Sequence, residues 1–311
     1  MTDLVSPAPA SALALIAKEA ALAVSDYLAG VARTVARVET KVDFHDPVTA
    51  HDRLVETALR AILGRAVPGS RVLGEEKGAA VLDAESLPVL PDGVASPDSA
   101  QWREAVGVVA EFGARVRWIV DPIDGTANFA SGLPWFNTSI GVELDGEIVA
   151  GVVRAPLLGE TFWADDAVAR YEGPNGERIL DADGPTAEER AVIVSYYPGP
   201  RAIAREPELA AAREARIAAA FQSTRRLGAA ALDLAYVAAG WLGAMSGTAF
   251  KPWDVAAGLH ILRIAGGGAL NVDLATELPW GLRPGVVAHG RNFDAPTARA
   301  VMREIAATWE S

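Results

Sequence analysis

The sequence predicts an α+β fold of layered helices and sheets, and three observations carry that prediction. Residues 11–38 are Ala-rich, with apolar positions at helical spacing and almost no breaker before Gly30. Residues 136–144 and 147–154 are β-rich runs joined by Asp145-Gly146, a strong short-range hairpin signal. Helical and extended patterns then alternate in blocks to the end of the chain, with no internal repeat.

In chain order, 11–38 reads as one long helix and 51–66 as a second, ending before Pro68-Gly69. RVLGEE (71–76) reads as a short strand that stops at Gly74. Residues 79–101, rich in Pro, Asp, Ser and Ala, read as a surface insertion. From Arg117 the β signal dominates, with short strands expected near 160–164, 167–171 and 191–195 after the hairpin. Helices are expected over 203–221 and 228–240, then from Asp254 to about Ala265, where Gly266-Gly267-Gly268 stops the last of them. A strand near 285–289 and a helix over 294–309 complete the reading.

A chain of 311 residues has ample apolar surface for one large domain or two closely packed ones. The net charge of −12 argues against nucleic acid or anionic membrane as a partner. It leaves room for a small anionic substrate, because bound cations invert the local potential. The absence of cysteine removes disulfides, thiolate metal sites and cysteine nucleophiles together. APASA precedes the apolar run instead of following it and no Lys or Arg occurs before Lys18, so no secretory signal is expected. The nearly uncharged stretch Leu227–Phe250 contains Asp233 and many Gly and Ala residues, and reads as a buried helix running into a strand. A cytoplasmic location is the expectation.

The chemistry gathers in the acidic segments. In WIVDPIDGTANF (118–129) an apolar run meets two carboxylates, Asp121 and Asp124. Pro122 lacks an N–H and disfavours helical geometry at Asp121, so the segment is expected to leave the strand there as a turn. Such a turn aims both carboxylates and the Ile123 carbonyl into one volume, a hard oxygen cluster suited to Mg²⁺ or Mn²⁺ and not to zinc. Without a cation the two carboxylates repel and one stays protonated. Gly125 and Thr126 follow; a helix starting there would point N–H groups at an anion, and the Thr126 hydroxyl would hold a water. Taken alone, the segment equally fits an Asx-type turn with Asp124 as a helix cap. Taken alone, Glu75 and Glu76 after Gly74 more often form a solvated strand end, and Asp254 in PWDVAAG (252–258) is more often a plain helix cap; Asp52 in DPVTAHD (46–52) also fits a cap.

Together and in this order the segments resemble those of the inositol monophosphatase family. The resemblance rests on DPVTAHD, LGEE, WIVDPIDGTANF, the SIGVELDGEIVAGVV hairpin, RRLGAAALDLAYVAAG and KPWDVAAG, and covers nearly the whole chain. It implies a layered α-β-α-β-α sandwich and a Mg²⁺-dependent phosphomonoesterase with two or three ions, Mn²⁺ being an alternative, lithium-sensitive and homodimeric. Glu75, Asp121 and the Ile123 carbonyl would hold one ion, and Asp121, Asp124 and Asp254 the second. Thr126 paired with Asp52 would orient and deprotonate the attacking water, and the Gly125 and Thr126 N–H groups would grip the phosphate. Residues 1–155 would carry most metal ligands, and 156–311 Asp254 and the substrate-side wall, in one compact catalytic unit. Two ions about 3.5–4 Å apart activate a water and stabilise the leaving oxygen without a covalent nucleophile, which agrees with the missing cysteine.

The alcohol side departs from the family. Inositol-specific members carry a Glu where this chain has Gly247, an Asp where it has Gly243, and a hydroxyl residue where Gly228-Ala229-Ala230 has Ala229. Substrate hydroxyls are read by such groups, so their loss alters specificity. Myo-inositol monophosphate is the family default; histidinol phosphate, fructose 1,6-bisphosphate and a 3′-phosphorylated nucleotide stay open. Arg225, Arg226 and Lys251 stand either as contacts for a second phosphate or as ordinary surface charges, and Lys41 either attracts phosphate at the entrance or is solvated. His45 and His51 are expected in surface loops. The insertion at 79–101 either covers the mouth or decorates the surface. A non-catalytic regulatory protein retaining the fold is the alternative from another class.

Overall fold

The computed structural model of the chain describes residues 8–34, 39–40, 47–274 and 285–309. Lys41 and His45, and the end of the expected first helix at 35–38, lie outside the described residues. A two-stranded antiparallel ladder pairs β1 (Glu39–Thr40) with β2 (Pro47–Val48), and two larger sheets organise the rest. The larger has eight strands in the order β10-β9-β8-β7-β6-β5-β3-β4. These are β3 (Arg71–Gly74), β4 (Gly78–Val81), β5 (Val116–Asp124), β6 (Asn137–Leu144), β7 (Glu147–Ala155), β8 (Glu160–Ala164), β9 (Ala169–Gly173) and β10 (Gly176–Ile179). Its neighbours are antiparallel except β3 and β5, which run parallel. A smaller sheet, with the order β12-β11-β13-β15-β14, holds β11 (Val192–Ser195), β12 (Ser223–Arg225), β13 (Ala244–Gly247), β14 (Gly268–Val272) and β15 (Gly285–His289).

Strand alternation assigns each sheet face to a helical layer. Trp118, Val120, Ile140 and Val152 point into a core with α1 (Pro9–Val31), α2 (Ala50–Ala66) and α3 (Ala100–Val109). The other face of the large sheet supplies Val153 and Phe162 to a middle core with α7 (Ala230–Ala238) and α8 (Pro252–Ile264), which the small sheet closes with Val194, Met245, Val286 and Ala288. The small sheet's outer face supplies Ile193, Ala244 and Val287 to a third core under α5 (Pro200–Arg205), α6 (Pro207–Ala220) and α9 (Pro296–Trp309). The order is helix, sheet, helix, sheet, helix. The α+β layered sandwich expected from the sequence is therefore what forms. Because β5 is covered on both faces, Trp118-Ile119-Val120 is a continuous apolar run and not an alternating one.

Several elements differ from the sequence reading. The first helix runs from Pro9 to Val31, with Pro tolerated at its first position. The expected helix over 203–221 is two, because Pro207 holds Glu206 out of helical geometry at φ −144° and ψ 61°. The insertion is more ordered than its composition suggests: it contains β4 and leads into α3, whose Trp102, Ala105 and Val109 are buried. Leu87, Leu90 and Val94 pack on the α1–α2 core, and Ala95 N donates to Ala23 O at 3.1 Å. It belongs to the outer helical layer and not to the mouth. The stretch Leu227–Phe250 forms α7 and β13 as expected, and among the described residues no helix is long and apolar enough to cross a membrane.

Candidate active site

Each acidic residue arrives on a different element. β5 continues to Asp124 instead of ending at Asp121, and its ladder with β6 shifts register between the two aspartates. Pro122 sits in that bulge, where the missing N–H removes no ladder bond, so the proline bends the strand without ending it. Asp121 Oδ1 accepts from Ile123 N at 3.0 Å, and Thr138 Oγ1 donates to Pro122 O at 2.9 Å.

Asp124 is tied to the start of α7. Its Oδ1 accepts from Ala230 N at 3.1 Å, and its Oδ2 from Ala231 N and Asn137 Nδ2, each at 2.8 Å. Ala229, the N-cap of α7, has no side chain to satisfy those amides. The carboxylate of Asp124 caps the helix from a distant strand, and the helix dipole favours that charge.

Asp254 stands in the first turn of α8, where its Oδ2 accepts from Lys251 N at 2.7 Å. The helix reaches the large sheet closely because a Cβ on Gly151 would lie 2.7 Å from Ala257 O. Asp52 is fully buried in the first turn of α2. Its Oδ2 accepts from Thr49 N at 2.8 Å and Thr49 Oγ1 at 2.6 Å, a capping box. Its Oδ1 faces Thr126 Oγ1 at 3.0 Å, and the same hydroxyl lies 3.0 Å from Ile123 O. One hydroxyl proton serves one of these acceptors at a time.

Glu75 follows β3 in a turn held from below. Fully buried Glu56 accepts from Glu76 N at 2.7 Å, Lys77 N at 3.2 Å and Arg60 Nε at 2.8 Å. Gly125 precedes α4 (Thr126–Ala130) with φ +89°. A Cβ there would also meet Gly228 O and Ala229 Cβ at 3.0 Å, so glycine is required twice over.

These residues open on one cleft of about 600 Å³, lined by Glu75, Asp121, Ile123, Asp124, Gly125, Thr126, Gly228 and Asp254. Asp52 stands behind it through Thr126. The carboxylates disturb one another strongly. Burial pushes Asp121 well above the ordinary carboxylate range, and the charges of Glu75, Asp124 and Asp254 and a hydrogen bond shared with Glu75 raise it further. Burial raises Asp124 to about 7 against the pull of its three hydrogen bonds, with Glu75 adding to the rise. Asp254 also lies well above its usual value, chiefly by burial, opposed by the Lys251 N–H and reinforced by Asp124 and Glu75. A cluster of carboxylates raised by burial and by one another's charge fits hard divalent cations in its donor chemistry. Among the described residues no group of three His, Asp or Glu side chains is already arranged as a ligand set.

The opposite wall is built of Tyr196, Pro198, Pro200, Ile203, Arg226, Thr248 and Phe250. Tyr196 Oη donates to Asp233 Oδ2 at 2.6 Å and accepts from Gly228 N at 3.0 Å, while Trp135 Nε1 donates to Asp233 Oδ1 at 2.9 Å. Asp233 is fully buried and raised to about 8, chiefly by burial. Arg226 lines the cleft and clamps Ser195 O and Pro198 O at 3.4 and 2.7 Å. Arg225 turns away, donating to Thr224 O at 2.8 Å, and Lys251 serves the Asp254 turn through its N–H.

Of the substrate-side positions, Gly228 reaches the cleft, Ala229 and Gly247 lie buried behind it, and Gly243 is buried beside Ala191 and Phe293 of the third core. His51 is not a loop residue: it stands in the first turn of α2, with its Nδ1 2.7 Å from Tyr27 Oη and its ring edge-on to Phe129. Sequence reasoning missed Glu56, Asn137, Thr49 and the Tyr196–Asp233–Trp135 group. Glu56 and Arg60, four apart on the inward face of α2, carried a visible signal; Asn137 carried none.

A family model described as the inositol monophosphatase family matches residues 10–307. The chain belongs to the inositol monophosphatase family. Family membership supports a phosphatase acting on small phosphorylated metabolites. An inositol-1-monophosphatase of Mesorhizobium japonicum is 35% identical over 228 residues, 73% of each chain. A fructose-1,6-bisphosphatase/inositol-1-monophosphatase of Thermotoga maritima is 31% identical over 233 residues, 75% of this chain and 74% of that protein. The crystal structure of extragenic suppressor protein suhB from Bartonella henselae superposes with a TM-score of 0.73 at 27% identity, covering 93% of this chain and 98% of that one. These relatives confirm the family and the fold.

Proposed function

We propose that the chain is a divalent-cation-dependent phosphomonoesterase that hydrolyses a small phosphorylated alcohol with water as nucleophile, Mg²⁺ being the expected cation. The observation that carries this reading is the convergence of Glu75, Asp121, Asp124 and Asp254 on one cleft, where burial and mutual repulsion raise Asp121, Asp124 and Asp254 above the ordinary carboxylate range. Those carboxylates and the Ile123 carbonyl would hold the cations. When bound, such ions lower the pKa of a water and neutralise charge on the phosphate and the leaving oxygen.

The chain's own groups do the rest. The Thr126 hydroxyl, when it donates to Asp52 Oδ1, keeps lone pairs to accept a hydrogen bond from the attacking water. Its proton can move to Asp52, which Thr49 holds in place. Gly125 and Thr126 open α4, where N–H groups have no helical acceptor, and so are placed to grip phosphate oxygens. Asp124 keeps its position through α7 and Asn137, and Glu75 through Glu56.

The names of the relatives make myo-inositol monophosphate and fructose 1,6-bisphosphate the first esters to test. The experiment is phosphate release from a panel of inositol, sugar, histidinol and nucleotide monoesters with Mg²⁺, by the wild type and Asp124→Asn. The expected result is release by the wild type and a loss of at least about 100-fold in the variant. Equal release by both, or none by either, would overturn the proposal.

A further inference from the structure

We propose that the alcohol of the substrate carries a flat unsaturated ring, and that this ring lies against the Tyr196–Phe250 wall; this rests on the phosphomonoesterase reading above. Gly247 carries the argument. It does not reach the cleft, and a Cβ on it would fall 2.4 Å from Phe250 Cζ and 3.1 Å from Tyr196 Cβ. The bare backbone at 247 is what lets the Phe250 ring fold back against Tyr196, edge to face, with centroids 5.5 Å apart and planes at 78°. A side chain at 247 and the present position of the Phe250 ring exclude one another.

The rest of the wall agrees. The Tyr196 hydroxyl is committed to Asp233 and to the Gly228 amide, so the residue offers the cleft its ring and not its polar edge. Pro198, Pro200 and half-exposed Ile203 extend the apolar surface. The polar side chains on this wall are Arg226, which holds two backbone carbonyls, and Thr248, which is as buried as Phe250 at 7% and 8% exposure. A polyhydroxylated ring would find few partners for its hydroxyls on such a surface beyond Arg226, whereas an aromatic or heteroaromatic ring gains stacking and edge contacts.

The test compares kcat/KM for three alkyl monoesters with similar leaving groups: 2-phenylethyl phosphate, glycerol 2-phosphate and myo-inositol 1-phosphate. The expected order places 2-phenylethyl phosphate at least about 10-fold above myo-inositol 1-phosphate. In Phe250→Ala the ratio of 2-phenylethyl to glycerol 2-phosphate turnover falls at least about 10-fold, mainly through KM. Phe250→Leu, which keeps apolar bulk, gives a fall of the same sign and guards against a misfolded alanine variant. Calorimetric binding of 3-phenylpropylphosphonate follows the same order among the proteins. A preference for myo-inositol 1-phosphate, or a ratio unmoved in both variants, overturns this inference and leaves the phosphatase reading standing. Hydrolysis of none of the three esters removes both.

Discussion

Glu56 offers a test of how the cleft is held that does not touch the cleft. Its Oε1 accepts from Arg60 Nε at 2.8 Å and Lys77 N at 3.2 Å, and its Oε2 from Glu76 N at 2.7 Å. Glu56→Gln turns one of those oxygens into a donor, so either the Glu76 amide or the Arg60–Lys77 pair loses its acceptor. Arg60 keeps the Gly78 carbonyl at 2.6 Å but loses its buried counter-charge. A lost charge-assisted bond costs about 1.5–3 kcal/mol. Breaking a buried ion pair by removing one partner costs about 3–5 kcal/mol, which bounds the effect from above. In a chain of this length the upper range lowers the melting temperature by about 5–8 °C. Circular dichroism melts in EDTA measure this. Replacing both partners, Glu56→Gln with Arg60→Met, removes the stranded charge, so the double variant is less destabilised than the sum of the singles by at least about 1 kcal/mol. Because the Glu76 and Lys77 amides fix the turn that presents Glu75, the Mg²⁺ concentration for half-maximal phosphate release rises about 10-fold in Glu56→Gln. A melting shift below about 1.5 °C, with additive singles, would refute the reasoning.

Other expectations follow from the same geometry. Gly125→Ala forces a side chain into a left-handed conformation and against Gly228 O and Ala229 Cβ, and is expected to destabilise by about 1–3 kcal/mol and lower phosphate release more than 10-fold, read by melts and rates together. Asp233 has its folded value raised to about 8 from an ordinary one near 4, so its stabilisation is complete at low pH and is lost as pH climbs to 8. Asp233→Asn is therefore expected to flatten the stability–pH curve between about 4 and 8 by up to about 1.4 kcal/mol per pH unit, seen in urea unfolding at stepped pH. Mg²⁺ uptake must displace protons from the raised Asp121, Asp124 and Asp254, so its affinity is expected to strengthen as pH rises through about 7, with protons released in calorimetry in buffers of different ionisation enthalpy.

The layers and most strands were legible because burial leaves a periodic trace: the Asp145-Gly146 hairpin, α8 and β15 fall where the pattern places them. Elements with no buried face left none. β10 is exposed throughout, and β12 is a three-residue edge strand, so both were invisible. The insertion at 79–101 is a surface segment as expected, but its Pro- and Ser-rich composition concealed Leu87, Leu90 and Val94, which pack on the core. At the site, the first carboxylates were readable because each sits beside a proline, a glycine or a helix start. Their supports were not, since the bond from Asn137 to Asp124 is made across strands and the Asp124 cap of α7 spans distant parts of the chain. Gly247 looked like a missing hydroxyl contact in sequence; in three dimensions it is the space that Phe250 fills.

The central claim is that this acidic cleft works only with divalent cations in it. The most direct measurement is the rate of phosphate release as free Mg²⁺ is raised from zero, buffered with EDTA, to millimolar levels on a hydrolysed monoester. No release is expected in EDTA, and the rate is expected to rise and saturate with Mg²⁺. A rate in EDTA equal to that at saturating Mg²⁺ would contradict the claim.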